Sequence, residues 1–68
     1  MNSNNLHSPE RQLIEWRMEH ADLDATIDQL SLTTPTDELM LRRLKKRRLA
    51  LRDRIQQLER ALDPKEPA

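Results

Sequence analysis

His20 and Asp24 are the residues of this chain with the clearest potential for chemistry. They are four positions apart, so on an α-helix they share one face, where an imidazole and a carboxylate can bind the same metal ion. A metal site needs at least a third ligand, and the chain has no cysteine and two histidines in all. The spacing therefore favours a structural interpretation, in which His20 is hydrogen-bonded to Asp24 in a partly solvated helix interface.

Arg48 is a polar residue at a position where helical spacing predicts an apolar one, since Leu44 and Leu51 lie one turn to either side of it. Its aliphatic stem can cover Leu23 while its guanidinium reaches outward, and Asp24 is an available carboxylate partner. A polar residue at such a position costs stability but can fix the register or the oligomeric state of packed helices. We name His20, Asp24 and Arg48 the polar seam.

The most basic part of the chain is residues 42–54, with eight bases and one acid. Such a cluster can bind nucleic acid through phosphate contacts. The bases point all round a helix, however, and the single aromatic residue lies elsewhere, so no base-stacking platform is expected. Nucleic acid is therefore a partner that we consider but do not favour. The candidate basic face consists of Arg42, Arg43, Lys45, Lys46 and Arg47.

Nucleophilic catalysis is not expected from this composition. The chain has no cysteine, and its serines and threonines lie mostly at candidate helix caps, tip and tail, where capping explains them. Two helices alone enclose no pocket that keeps water from a substrate. We therefore expect no enzyme, no metal and no cofactor.

Two series of residues with heptad spacing predict the helices that carry these side chains. The first series is Leu13, Trp16, His20, Leu23, Ile27 and Leu30. The second series is Leu41, Leu44, Arg48, Leu51, Ile55, Leu58 and Leu62. When the second series is reversed, paired residue numbers add to a constant 71, which indicates an antiparallel register with its turn at residues 35–36. The sequence predicts an all-α fold, an antiparallel two-helix hairpin with a coiled-coil-like seam.

Proline and capping residues predict where the helices begin and end. Ser8 followed by Pro9 is a strong helix start, and Thr34 followed by Pro35 repeats it, with Asp37 completing a capping box. The predicted hairpin covers residues 8–62, with helix 1 at about 9–30, a tip at about 31–34 and helix 2 at about 35–62. A disordered arm is predicted before it at 1–7, and a loose tail after it at 63–68.

Charged residues beside the seam support this register. Opposite charges are predicted to face each other in the pairs Arg17 with Glu59, Glu19 with Arg54, and Asp24 with Lys45. Each exposed pair contributes only ~0–1 kcal/mol, so the pairs select the register more than they stabilise it.

A second apolar stripe lies outside the seam on helix 1. We name it the outer stripe: Ile14, Met18, Ala21 and Ala25, which step by 4, 3 and 4. Leu49, and less clearly Leu39 and Met40, lie outside the seam on helix 2. A hairpin buries one stripe per helix, so a second stripe predicts self-association into a dimer or a larger assembly, such as a four-helix bundle. The alternative is that these are scattered surface residues.

Length and composition limit what the chain can do. It has 68 residues, of which 35% are apolar and 35% charged, and a core of this size supplies about 3–5 kcal/mol. The N-terminus is polar and no segment is apolar enough to span a membrane, which predicts a cytoplasmic protein without a membrane partner. Net charge is zero, but residues 1–30 carry about −4 and residues 31–68 about +4.

Two strings in the sequence resemble a known family. The first, EH-x-x-LD-x-x-I, is Glu19, His20, Leu23, Asp24 and Ile27; the second, LKK-x-R-L-x-L-R-D-x-I, covers residues 44–55. Together they are similar to the YdcH-like family of small bacterial proteins over about residues 16–58. That family has lysine where this chain has Arg48 and Arg52, which keeps the charge. The resemblance implies a helical hairpin in the bacterial cytosol, with no assigned reaction or cofactor. It makes His20, Asp24, Lys45, Arg48 and Asp53 the first polar positions to test.

These observations together predict a small helical interaction module that self-associates and binds another protein. The alternatives are a nucleic-acid-associated protein that uses residues 42–54, and an adaptor that binds an acidic partner through the same face.

Overall fold

The first helix begins where the sequence predicts. The computed structural model describes residues 8–63, and in it α1 spans Pro9–Leu32. The Ser8 hydroxyl accepts a hydrogen bond from the Arg11 amide at 3.1 Å, and Pro9 occupies the first helical turn, where its missing N–H costs nothing. The predicted disordered arm at residues 1–7 lies outside the described residues.

The first helix ends at Leu32, two residues beyond the predicted end at Leu30. Hydroxyl groups satisfy carbonyls of its last turns: Ser31 donates to the Ile27 carbonyl at 2.8 Å, and Thr33 donates to that of Gln29 at 3.1 Å. The Thr33 amide also bonds to Leu30 at 3.2 Å. These bonds let the helix continue through Ser31 and Leu32, in the predicted tip.

The second helix, α2, spans Glu38–Leu62, so the predicted start at Pro35 is wrong by three residues. Its N-cap is Asp37, whose carboxylate accepts from the Met40 amide at 3.0 Å, and not Thr34. A carboxylate at the positive end of a helix dipole is a better acceptor than a hydroxyl. Residues 33–37 are also needed to cross the ~8–10 Å between two packed helix axes.

The second helix ends as predicted at Leu62, with Asp63 as C-cap and its amide bonded to the Glu59 carbonyl at 3.0 Å. The rest of the predicted loose tail, residues 64–68, lies outside the described residues. Neither described helix is long and apolar enough to cross a membrane.

The two helices pack against each other along the predicted seam, and the hairpin prediction is confirmed. All thirteen residues of the two heptad series, which form the seam, are buried or half-buried. The buried core within residues 8–63 comprises Leu13, Leu23, Ile27, Leu41, Leu51 and Ile55. Trp16, Leu44, Leu58 and Leu62 pack on it as partly buried side chains. The core is thus one layer between two helices, and the charged residues other than the half-buried Arg48 lie on a flank or an outer face.

Candidate functional site

The polar seam lies midway along the hairpin and is organised by Asp24. Arg48, on α2, donates from Nη1 to Asp24 Oδ1 at 2.6 Å across the helix interface. His20 Nδ1 is 3.7 Å from Asp24 Oδ2, which is too long for a hydrogen bond. The three predicted residues therefore come together, but the predicted hydrogen bond between His20 and Asp24 is replaced by the one from Arg48.

This cluster is better suited to joining two helices than to chemistry. Its side chains are 27%, 49% and 34% exposed for His20, Asp24 and Arg48, so water reaches all three. The guanidinium binds one oxygen of the carboxylate and would repel a metal cation beside it. Within residues 8–63, no three potential ligands from histidine, cysteine, aspartate and glutamate lie together. An ion pair with this exposure contributes at most ~1 kcal/mol.

The sequence offers both Lys45 and Arg48 as partners of Asp24; the pairing with Arg48 is confirmed and the pairing with Lys45 is wrong. Arg48 occupies a half-buried seam position on the inner face of α2, whereas Lys45 is exposed on the flank one turn earlier. A residue at the seam reaches across at little cost in side-chain entropy, because packing already holds its stem. Both residues line a surface groove of about 390 Å³ together with His20, Asp24, Leu49 and Arg52.

Two further ion pairs connect the helices along their flanks. Arg17 Nη2 lies 2.6 Å from Glu59 Oε2, as predicted. Glu19 pairs with Arg47 at 3.5 Å, and the predicted pairing with Arg54 is wrong. Arg47 and Arg54 line the same groove beside Glu19, and two arginines seven residues apart compete for one carboxylate.

The outer stripe is exposed along its whole length. Ile14 is 56% and Met18 63% exposed, and Ala21 and Ala25 are also exposed. On α2, Leu49 is 52% exposed, and Leu39 and Met40 lie near its start with 58% and 43%. These are large apolar side chains that the hairpin itself does not cover.

Leu32 is an exposed apolar residue that sequence reasoning missed. It is 82% exposed at the end of α1, where we had predicted the tip. The signal was present in the hydroxyl residues on either side of it, Ser31 and Thr33, which bond back to the helix and extend it.

The candidate basic face is exposed at all five of its positions. One of them, Arg47, is partly neutralised by Glu19. The other four, Arg42, Arg43, Lys45 and Lys46, have no ion pair within the described residues. The charge of this face is thus largely available to a partner.

Most of each helix of this hairpin lies in a region that matches a known family. The family described as "Protein of unknown function (DUF465)" matches residues 14–59, more than half of the chain. The chain belongs to this family. The predicted resemblance to the YdcH-like proteins is thereby confirmed. As a DUF465 protein, the chain has its polar seam, the outer stripe and the basic face within the matched residues.

The description of the DUF465 family states no activity, so the function must be argued from the surfaces themselves. Among curated proteins and among solved structures, nothing matches this chain significantly.

Proposed function

We propose that this protein is a small helical interaction module that self-associates through the outer stripe of α1 and also binds another protein. The observation that carries the proposal is the imbalance between covered and uncovered apolar residues. The hairpin buries six apolar residues among those described, and it leaves six large ones exposed, including Ile14 and Met18. A small domain gains stability when a partner covers such residues.

The proposal assigns no reaction, cofactor or metal to the protein. The grooves of the hairpin are open to solvent between two helices, and catalysis depends on a site that limits water. On the family resemblance and the polar composition, we also propose a bacterial cytosolic location.

Sedimentation of the wild-type protein and of Met18→Glu tests self-association. Met18 is 63% exposed, so the substitution should leave the hairpin folded while placing a charge in the middle of the outer stripe. We expect the wild type to associate in the micromolar range and Met18→Glu to shift toward monomer, with at least about a tenfold weaker association.

Thr26→Glu is the matched control, because Thr26 is exposed on the same helix but off the outer stripe. It should sediment like the wild type. A wild-type protein that remains monomeric at high micromolar concentration would contradict the proposal.

Nucleic-acid binding is the second candidate, favoured by the four bases of the basic face that have no ion pair within residues 8–63. Acidic groups of α1 counter it, since Glu19 holds Arg47 and Asp24 holds Arg48. A titration with duplex DNA and RNA at about 150 mM salt should therefore give only non-specific affinity of ~10⁻⁴–10⁻⁶ M, falling steeply with added salt. A sub-micromolar dissociation constant at that salt concentration would rank this candidate first.

A pull-down from bacterial lysate, with and without nuclease, separates the two candidates for an external partner. Retention of a defined protein after nuclease treatment supports the interaction module. Loss of all retained proteins after nuclease treatment supports nucleic acid.

A further inference from the structure

The outer face of α2 has the same helical spacing as the outer stripe of α1. It runs along positions that step by 3, 4, 3 and 4: Leu39, Arg42, Lys46, Leu49 and Asp53. This spacing forms a single stripe on a helix, turned away from the seam. All five residues are exposed, and Leu39 and Leu49 are 58% and 52% exposed. We name these five residues the α2 stripe.

Charge distinguishes the two outer surfaces. The ion pairs that join α1 to α2 use side chains beside the seam or within it, such as Arg17 with Glu59. By contrast, Asp22 and Asp28, next to the outer stripe, have no ion pair within residues 8–63, and neither do Arg42 and Lys46 of the α2 stripe. One edge of the hairpin is thus apolar and acidic, and the opposite edge is apolar and basic.

We propose that the outer stripe of α1 docks on the α2 stripe of a second copy of this chain. This inference rests on the proposed self-association and names the surface that receives the outer stripe. The steps 4, 3 and 4 of the outer stripe match those of the α2 stripe when it is reversed. Met18 then meets the partner's Leu49, Ala21 meets the partner's Lys46, and Ala25 meets the partner's Arg42. Ile14, at the end of the outer stripe, meets the partner's Asp53.

Three of the four pairs in this register suit the size and the charge of the side chains. Two large exposed side chains, Met18 and Leu49, cover each other. The small side chains of Ala21 and Ala25 leave room for the long stems of the partner's lysine and arginine. Their charged ends then lie near Asp22 and Asp28, which are otherwise unpaired among the described residues.

The competing contact, between the outer stripes of two copies, is disfavoured by charge. It would pack one α1, which carries six acids and two bases over Pro9–Leu32, against a second helix of the same net negative charge. Like charges placed across an interface are a means by which proteins reject a partner.

The two stripes lie on opposite edges of the hairpin, so the contact between them is head-to-tail. Each copy in a pair keeps one stripe uncovered, and a heterologous contact of this kind continues into a ring or an open array. Adjacent helices remain antiparallel throughout, because each α1 docks in the reversed register on the α2 of the next copy. This row of helices differs from the predicted four-helix bundle, in which four helices share one core.

A mixing experiment with two surface variants tests the head-to-tail contact. Met18→Glu disrupts the outer stripe and leaves the α2 stripe intact. Leu49→Glu disrupts the α2 stripe and leaves the outer stripe intact. We expect each variant alone to be monomeric by sedimentation and an equimolar mixture to form a 1:1 dimer that grows no further. Thr26→Glu, with neither stripe altered, should assemble like the wild type, and circular dichroism should show all three variants to be helical.

The possible results separate this inference from the proposed function. A monomeric wild type overturns both. A wild type that associates while the mixture stays monomeric overturns the head-to-tail contact alone. If Leu49→Glu by itself still forms dimers, the contact is between two outer stripes, and the inference is wrong.

A charge exchange provides a second test, in which only charged residues are replaced and every apolar residue of the two stripes is kept. Lys46→Glu and Asp22→Lys should each weaken association up to about fivefold, and the double variant should recover most of the loss. Additive losses in the double variant would overturn the proposed register.

Discussion

Asp24 shows how one carboxylate can decide the arrangement of a polar cluster. Asp24 shares a groove with cationic side chains of α2, among them Arg48 and Lys45, and His20 lies one turn before it on α1. Arg48 makes the short contact, at 2.6 Å, and His20 remains at 3.7 Å. A planar guanidinium offers several donors in a fixed geometry, so it competes well for a carboxylate. His20 is left as a half-buried residue whose nearest ionic partner is already bound.

We expect His20→Leu to fold at least as stably as the wild type, with a gain of roughly 1 kcal/mol. Leucine places an apolar side chain in the seam, and Asp24 keeps its hydrogen bond from Arg48. Thermal and urea unfolding followed by circular dichroism would measure the change.

Thr26→Leu is the control for this experiment, because it adds the same side chain at an exposed position of α1. Its free energy of unfolding should change little. Unfolding of His20→Leu would mean that the imidazole makes a contact essential to the fold.

At the scale of the helices, the starts of α1 and α2 contrast. Ser8 and Pro9 begin α1 as the sequence predicts, whereas the similar pair Thr34 and Pro35 lies in the loop before α2. The second start offered two acceptors three residues apart, and Asp37 is the one that bonds to a helix amide. Local sequence identified the candidates but did not choose between them, because a loop must also span the distance between the helices.

Alanine substitutions at the two candidate caps should therefore differ. Asp37→Ala removes the acceptor of the Met40 amide and should cost about 0.5–2 kcal/mol of unfolding free energy. Thr34→Ala should change it by less than about 0.5 kcal/mol, since Thr34 is exposed and caps no helix. Urea unfolding of both variants is the measurement, and a larger loss for Thr34→Ala would contradict the observed helix start.

At the scale of the whole molecule, the antiparallel register pairs Trp16 with Ile55. Trp16 packs against the core cluster that contains Ile55. Cysteines introduced at these two positions should form a disulfide within one chain, because facing seam residues can meet the short distances that a disulfide needs. Oxidation at low micromolar concentration, followed by non-reducing electrophoresis and mass spectrometry, would show an intrachain link in monomeric species.

Cysteines at Trp16 and Gln57 are the control, since Gln57 is exposed on α2, on the side turned away from the seam. That pair should remain reduced within a chain. Links found only between chains for the Trp16 and Ile55 pair would indicate helices exchanged between two copies.

Heptad spacing alone predicts the seam and the hairpin correctly. All thirteen residues chosen by heptad spacing are buried or half-buried, and the outer stripe is exposed. The reason is that the period of a helix is fixed by its backbone, so spacing alone assigns residues to faces.

The choice of partners among the charged residues and the start of α2 depend on how the two helices pack. Glu19 binds Arg47 and not Arg54, and α2 starts after Asp37. Long charged side chains reach several neighbours whose energies differ by less than ~1 kcal/mol. Small differences in side-chain conformation and in the path of the loop therefore make the choice, and they exist only once the two helices are packed together.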